Sequence, residues 1–445
     1  MDIERKALMG MGIESVEAAD SGWRISVPGA LVSVGARLEV RQRIGADRLL
    51  FSADLPPHLT PWRLIDSHAF ACTLEGYGLR ITVQGDGVLI LAPQQHIRLS
   101  FRGAFTPAYA QEVRGQRLLL DPLGGCGFYG LPARPTEYAS ESDGAWTLST
   151  HLARWDELWV CVCPPRPRDL RRLYRSISHE GSAQDPYPSD AVIADAAQHC
   201  DLLTVHEAWA ADAPPWAENP PGSRYVHPKP WETDHPVPAD PAEFTRLRAR
   251  TRELGLELLV YLSPLYCSAP DLLGEMRRVL DEYEVDGLYF DGWCGHRDDF
   301  RPAYRLVRQA RALLGERTLY LHSSTEPFGI ATVYLPFAHA YADYVLTGEA
   351  GRFGIEVQPF LRYCVSGHQI SNAVGMWCHY GSWSSEPGYH AVVPSTEHIH
   401  QALDAHVRIW RNTLNWSRRF PEDLARFDRE YYGRLAQMQA AGRGD

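Results

Sequence analysis

The chain has 445 residues, 45% of them hydrophobic, and a formal net charge of -11. That is longer than one β/α barrel of about 250 residues and apolar enough for a large core. It holds no long basic run for a phosphate backbone, which argues against nucleic acid and for a neutral small-molecule partner.

The start, Met1-Asp2-Ile3-Glu4-Arg5-Lys6, leads into no apolar signal region, and no run of about 20 uncharged apolar residues follows anywhere. A cytoplasmic chain without a membrane partner is therefore expected. The nine cysteines are an odd number spread from Cys72 to Cys378, which suits reduced thiols. Cys161 and Cys163 share one side of a strand, but no second pair follows at zinc-like spacing, so no metal is expected there.

Residues 1–165 read as an antiparallel β-sandwich domain. Short alternating runs recur at 23–27, 37–41 and 97–101, and residues 79–83 and 88–91 flank Gln84-Gly85-Asp86-Gly87 as a hairpin. The glycine-rich stretch from Asp121 to Tyr129 lacks the lysine and following helix of a phosphate cradle and reads as a tight turn. Residues 155–163 read as the last sandwich strand. Pro164-Pro165-Arg166-Pro167 then stiffens the join, and residues 168–178 are expected to open the helical part of a second domain, 166–445.

In that second domain, apolar runs end in polar residues and alternate with helices. Leu202–Val205 leads into His206-Glu207-Ala208-Trp209, and residues 256–262 lead into Ser263-Pro264-Leu265-Tyr266. Residues 285–290 lead into Asp291-Gly292-Trp293, 318–321 into His322-Ser323-Ser324, and 344–346 into Thr347-Gly348-Glu349. Asp240-Pro241-Ala242-Glu243 reads as a helix cap with a reaching-back glutamate, closed by Gly255. The pattern predicts a (β/α)8-type (TIM) barrel, giving α/β plus all-β overall. Strand ends converge on one mouth in such a barrel, so His206, Glu207, Trp209, Tyr266, Asp291, Trp293, His322 and Glu349 would share a cavity.

The connection from Ala210 to Ala239 is proline-dense and carries Trp216, Tyr225, His227 and Trp231, which reads either as a stiff lid offering rings to a sugar or as a self-packed loop. A second aromatic stretch, 376–383, would bring Trp377 to the mouth. Residues 394–439 read as helices, with no clear last strands, so the barrel has the look of an incomplete one. Asp286 is expected at the far end of its strand. Asp298 and Asp299 suit the start of the helix near Phe300. His322 reads as a sugar-bonding group or a satisfied core histidine, and no Gly-x-Ser-x-Gly elbow surrounds Ser323 or Ser324. His379, His390, His398 and His400 lack ligand spacing, so no metal is expected from them.

This layout resembles the α-galactosidase/α-glucosidase-like superfamily of retaining glycoside hydrolases, on the strand end Val285-Asp286-Gly287-Leu288-Tyr289-Phe290-Asp291-Gly292-Trp293. The resemblance implies Asp291 as nucleophile and Glu349, two strands later, as acid/base. His206-Glu207-Ala208-Trp209 is similar to the acidic-Gly-Trp strand end that binds sugar hydroxyls there. Three features depart from the family: a glutamate replaces the usual acid/base aspartate, the nucleophile lacks its Lys-x-Asp form, and no C-terminal β-domain is legible after Trp383. The expected activity is hydrolysis of a small glycoside or oligosaccharide with retention and without a cofactor. A non-catalytic carbohydrate-binding protein, an inverting hydrolase and a transglycosidase stay open, as does a homo-oligomer.

Overall fold

The structure, a computed structural model, describes residues 10–20, 22–55, 61–113, 116–142, 144–166, 175–179, 186–206, 208–210, 235–264, 269–291, 299–322, 335–347, 359, 361–366, 374–377, 395–409, 411 and 421–440. Among these residues, sixteen strands between Ser15 and Cys163 form two eight-stranded antiparallel sheets. Their alternation is plain in Ile97–Gly103, where Ile97, Leu99 and Phe101 are buried between Arg98, Ser100 and Arg102. The inner faces meet around Phe51, Phe101, Phe128 and Trp146. Gly103 is needed there, since a Cβ would lie 1.8 Å from the Trp146 indole. Leu79–Gln84 and Val88–Pro93 pair as the expected hairpin, with Gly87 at φ 78° in its turn.

One strand, Glu157–Cys163, is buried almost throughout because both its faces are covered. Leu158, Val160 and Val162 point into the sandwich, while Trp159, Cys161 and Cys163 join the core of the second half. The Trp159 ring packs on Phe300 at 5.2 Å and Tyr304 at 5.4 Å, and Tyr129 packs on Phe337 at 5.4 Å. Asp86, buried in the hairpin turn, accepts hydrogen bonds from the hydroxyls of Tyr304 and Tyr341 across the same boundary. Burial, with the Asp86 charge behind it, pushes both phenols well above their ordinary pKa.

Among the described residues, the second half holds one sheet of eight parallel strands in sequence order: Ser176–His179, Leu202–Val205, Glu257–Leu262, Gly287–Asp291, Thr318–His322, Tyr344–Thr347, Val374–Trp377 and Arg408–Ile409. Two of these correct the sequence reading. Residues 176–178, expected to be helical, are the first strand, with Ile177 in the outer core and its serines on the opposite face. Arg408–Ile409, within a region expected to hold only helices, is the eighth strand. Ser178 N donates to Arg411 O at 2.9 Å, linking the first strand to the second residue past the eighth.

Helices cover the outer face. Pro241–Glu253 begins at Asp240, whose carboxylate accepts from Ala242 N at 2.9 Å and Glu243 N at 3.1 Å. Glu243 does not reach back to the cap but turns to Arg246 at 2.8 Å. Arg301–Leu314 carries Arg311 into the interior, where it donates to the carbonyls of Tyr341, Gly315 and Arg317 and pairs with buried Asp343. Asp343 also accepts from Leu319 N at 2.8 Å, tying the starts of the fifth and sixth strands together. Among the described residues no helix is long and apolar enough to cross a membrane.

Candidate active site

Alternation along the parallel strands sets the site. Leu203, Val205, Leu258, Val260, Leu288, Phe290, Leu319 and Leu321 face the helices, while Leu202, Leu259, Tyr261, Tyr289, Tyr320, Tyr344 and Leu346 form a separate inner cluster. Gly287 allows the inner layer to close, since a Cβ there would stand 2.2 Å from Thr318 O. Tyrosine rings succeed one another around the interior, Tyr289 to Tyr320 at 4.9 Å and Tyr320 to Tyr344 at 5.2 Å. One step higher on the same face come His206, Ser263, Asp291 and His322, all at or just past the carboxyl ends of their strands.

Asp291 is the centre of this layer. His322 Nδ1 stands 2.6 Å from Asp291 Oδ1, the Tyr261 hydroxyl donates to Oδ2 at 3.1 Å, and Ser263 Oγ donates to the Asp291 carbonyl at 2.7 Å. The Tyr289 hydroxyl lies 3.0 Å from the same His322 Nδ1. Burial by itself would raise the Asp291 carboxyl, but the charge and hydrogen bond of His322, the charge of His206 and the Tyr261 hydroxyl hold it below its ordinary pKa. The Asp291 side chain is still 26% exposed, so the anion is held ionised and remains reachable.

His206 completes the layer, its ring 4.9 Å from that of Tyr289 and 5.7 Å from that of Tyr261. Burial first, and then His322, push its pKa down to about 4 against the opposing pull of Asp291, so its imidazole is neutral at pH 7. Its Nε2 has no hydrogen-bond partner among the described residues. A reachable carboxylate beside a neutral imidazole, above a ring of phenols, can attack an electrophilic carbon, take a proton from water, or bind hydroxyls.

Asp291, His322 and His206 are thus brought together as expected from their strand ends. Trp209 is a correction: it is buried against Phe244 and Tyr283, with its indole Nε1 donating to Tyr261 O at 2.7 Å, so its ring serves the core beneath the helices and offers no face to a ligand. Glu207, Trp231, Tyr266, Trp293 and Glu349 lie outside the described residues. Trp377 ends the seventh strand in backbone terms, and its side chain is likewise outside them. The two ends of the proline-dense connection are tied to each other, Ala210 N to Val237 O at 2.7 Å and Ala239 N to Ala208 O at 3.0 Å, while residues 211–234, with its aromatic rings, lie outside. Asp286 sits at the opposite end of its strand, accepting from Leu258 N at 2.9 Å, and Asp299 accepts from Arg301 N at 2.9 Å at the start of its helix. Tyr261 and Tyr289 were missed. Each stands two residues before a polar strand end, and that parity marks an inward side chain. Among the described residues no group of three or more His, Cys, Asp or Glu is placed to hold a metal ion.

No family model and no curated protein matches this chain. Solved structures similar to it include a GH31 family sulfoquinovosidase from E. rectale in complex with an aza-sugar inhibitor, at TM-score 0.43 and 10% identity over 95% of this chain and 83% of that one. The glucosidase II alpha subunit is similar at TM-score 0.43 and 6% identity, over 97% of this chain and 70% of that one. D-psicose 3-epimerase from Clostridium cellulolyticum H10 is similar at TM-score 0.32 and 11% identity, over 60% of this chain and 99% of that one. At these scores the likenesses assign no residue role, and the solved structures that this chain resembles include glycosidases of the GH31 family.

Proposed function

We propose that the chain is a glycoside hydrolase, a divergent relative of the retaining α-galactosidase/α-glucosidase-like enzymes, acting on a neutral small glycoside or oligosaccharide at the mouth of a closed (β/α)8 barrel. Eight sequential parallel strands and the bond from Ser178 N to Arg411 O support closure. The barrel would occupy residues 166–445 and the sandwich 1–165, in a cytoplasmic protein that needs no cofactor.

The observation that carries the chemistry is Asp291, a carboxylate at a rigid strand end, kept ionised by His322 and Tyr261 and still open to a ligand. In this reading Asp291 attacks the anomeric carbon. The glycosidic bond breaks, and the leaving oxygen takes a proton from Glu349, two residues past the end of the sixth strand in the sequence. Water deprotonated by Glu349 then cleaves the glycosyl ester and releases Asp291, with net retention. His206, neutral beside the carboxylate, accepts or donates a hydrogen bond to a sugar hydroxyl, and Glu207 reads a second one.

Asp291→Ala tests the assignment. The variant should lose turnover of aryl glycosides and regain part of it with azide, giving a glycosyl azide of inverted anomeric configuration. Glu349→Ala should spare substrates whose leaving group needs no proton. Hydrolysis undiminished in Asp291→Ala overturns the reading, and products of inverted configuration replace it with an inverting enzyme whose carboxyl groups stand about 6.5–9.5 Å apart. Failure of the wild type to release aglycone from any aryl glycoside leaves the non-catalytic carbohydrate-binding protein.

A further inference from the structure

Trp155 is out of keeping with the rest of the surface. It is 80% exposed, where the next large hydrophobic side chain among the described residues, Ile65, reaches 49%. Its backbone is left-handed, φ 79°, a conformation that bulky L-residues adopt only under constraint. The constraint is visible. Asp156 N donates to Ala153 O at 3.1 Å, and the buried Asp156 carboxylate accepts from Ala153 N at 2.8 Å and from both Nε and Nη2 of Arg134 at 3.0 Å. The Arg154 guanidinium lies 4.5 Å from the indole centroid. An ion pair between buried Asp156 and the more exposed Arg134 therefore fixes a strained turn, and the result is an indole turned out to solvent, which folding alone does not favour.

The turn also has a definite place. Two residues on, Glu157 pairs with Arg301 at 3.4 Å, at the first turn of Arg301–Leu314. That helix follows the strand that ends at Asp291, so its first turn lies on the mouth side of the parallel sheet. Trp155 is thus on the turn that leads into Glu157, which lies beside the mouth-side end of that helix. Its surroundings are polar: beside Arg154, His96 is close enough for its charge to act on Asp156, and the His96 ring stands 5.9 Å from that of His151.

The geometry points to Trp155 as the stacking platform of a second carbohydrate subsite, on the β-sandwich, for a pyranose unit of a chain whose other end enters the mouth. The choice of a carbohydrate rests on the hydrolase reading. An exposed indole face takes the C–H face of a pyranose, and Arg154 beside it supplies N–H donors for ring hydroxyls. A second copy of this chain is the weaker occupant, since a two-fold contact through one indole would bring the Arg154 guanidinium groups together.

The test is affinity electrophoresis of the full chain in native gels containing soluble starch, dextran, xyloglucan, galactomannan or laminarin. Wild type, Trp155→Ala, Trp155→Phe and Trp155→Gly are run together, with sedimentation velocity and aryl-glycoside kinetics in parallel. Glycine suits the left-handed backbone, so that variant keeps the turn folded. At least one polysaccharide should retard the wild type. Trp155→Ala and Trp155→Gly should weaken that binding about tenfold or more, and Trp155→Phe less. The kcat/KM on small aryl glycosides should stay within about twofold in all of them, since one sugar unit fills only the Asp291 site. No retardation of the wild type, equal retardation of all four proteins, or a wild-type dimer that Trp155→Ala abolishes would each overturn the proposal. Retardation requires no turnover. A chain retarded through Trp155 that cleaves no glycoside defeats the hydrolase reading alone, and one that cleaves glycosides without Trp155-dependent retardation defeats the subsite alone.

Discussion

Asp291 and His322 end neighbouring parallel strands in register, and their side chains meet there, Nδ1 to Oδ1 at 2.6 Å. Because an ionised carboxylate can only accept, the proton of that bond sits on Nδ1 of the histidine. Replacing His322 by Ala removes a donor that lowers the Asp291 pKa, so the acid limb of the kcat/KM profile should move to higher pH, with a loss of about 100-fold at the optimum. A uniform loss at every pH, with the limb in place, would mean that His322 only packs.

Tyr261 acts on the other carboxylate oxygen, at 3.1 Å. Tyr261→Phe keeps the ring that packs beside His206 and removes only the hydroxyl. One neutral hydrogen bond is worth about 1 kcal/mol, so kcat/KM should fall about fivefold, with a smaller shift of the acid limb than in His322→Ala. An effect larger than that of His322→Ala would reverse the ranking of the two partners.

His206 gives a stability prediction whose sign follows from its lowered pKa. The unfolded chain takes up a proton as pH falls below the ordinary 6.5, whereas the folded site resists until about 4, so stability is lost across that window. Asp291, held below its ordinary 3.8 in the fold, stays ionised through most of the same window, and its own contribution is lost only at more acid pH. Melting temperatures measured at pH 7 and pH 4.5 should fall less in His206→Asn than in the wild type. Parallel falls would show that the imidazole is not buried in its neutral form.

Arg311 and Asp343 form an ion pair buried on both sides. Arg311→Met takes the guanidinium away from that carboxylate and from three carbonyls, and urea denaturation should show a loss of about 3–5 kcal/mol with an unchanged m-value. Adding Asp343→Leu should restore part of it. A neutral single variant would mean that water replaces the guanidinium.

Much of this was legible in the sequence where local signals agreed with the fold. The hairpin around Asp86 has alternating strands and turn glycines, and Asp291 closes an apolar run long enough to be read as a strand. Ser176–His179 failed because Ser-Ile-Ser is too short to carry a period, and its strand character comes from pairing with Leu202–Val205. Arg408–Ile409 is two residues between helices, defined only by its neighbour Val374–Trp377. Trp209 was misread because an aromatic just past a strand end looks the same in sequence whether it turns to the mouth or back under the helices, and the choice is made by Phe244 and Tyr283, far along the chain. The tyrosine ring was available in the parity of Tyr261, Tyr289, Tyr320 and Tyr344, which the polar strand ends drew attention away from.

The strand Glu157–Cys163, apolar on both faces, makes the proline join a seam in the sequence but not in the energetics. With Trp159 and Tyr129 set among Phe300, Tyr304 and Phe337, and Asp86 bonded across the boundary, each half buries part of its apolar surface only against the other. The two halves should melt in a single calorimetric transition, and a fragment starting at Arg175 should come out of expression insoluble unless the sandwich is supplied with it.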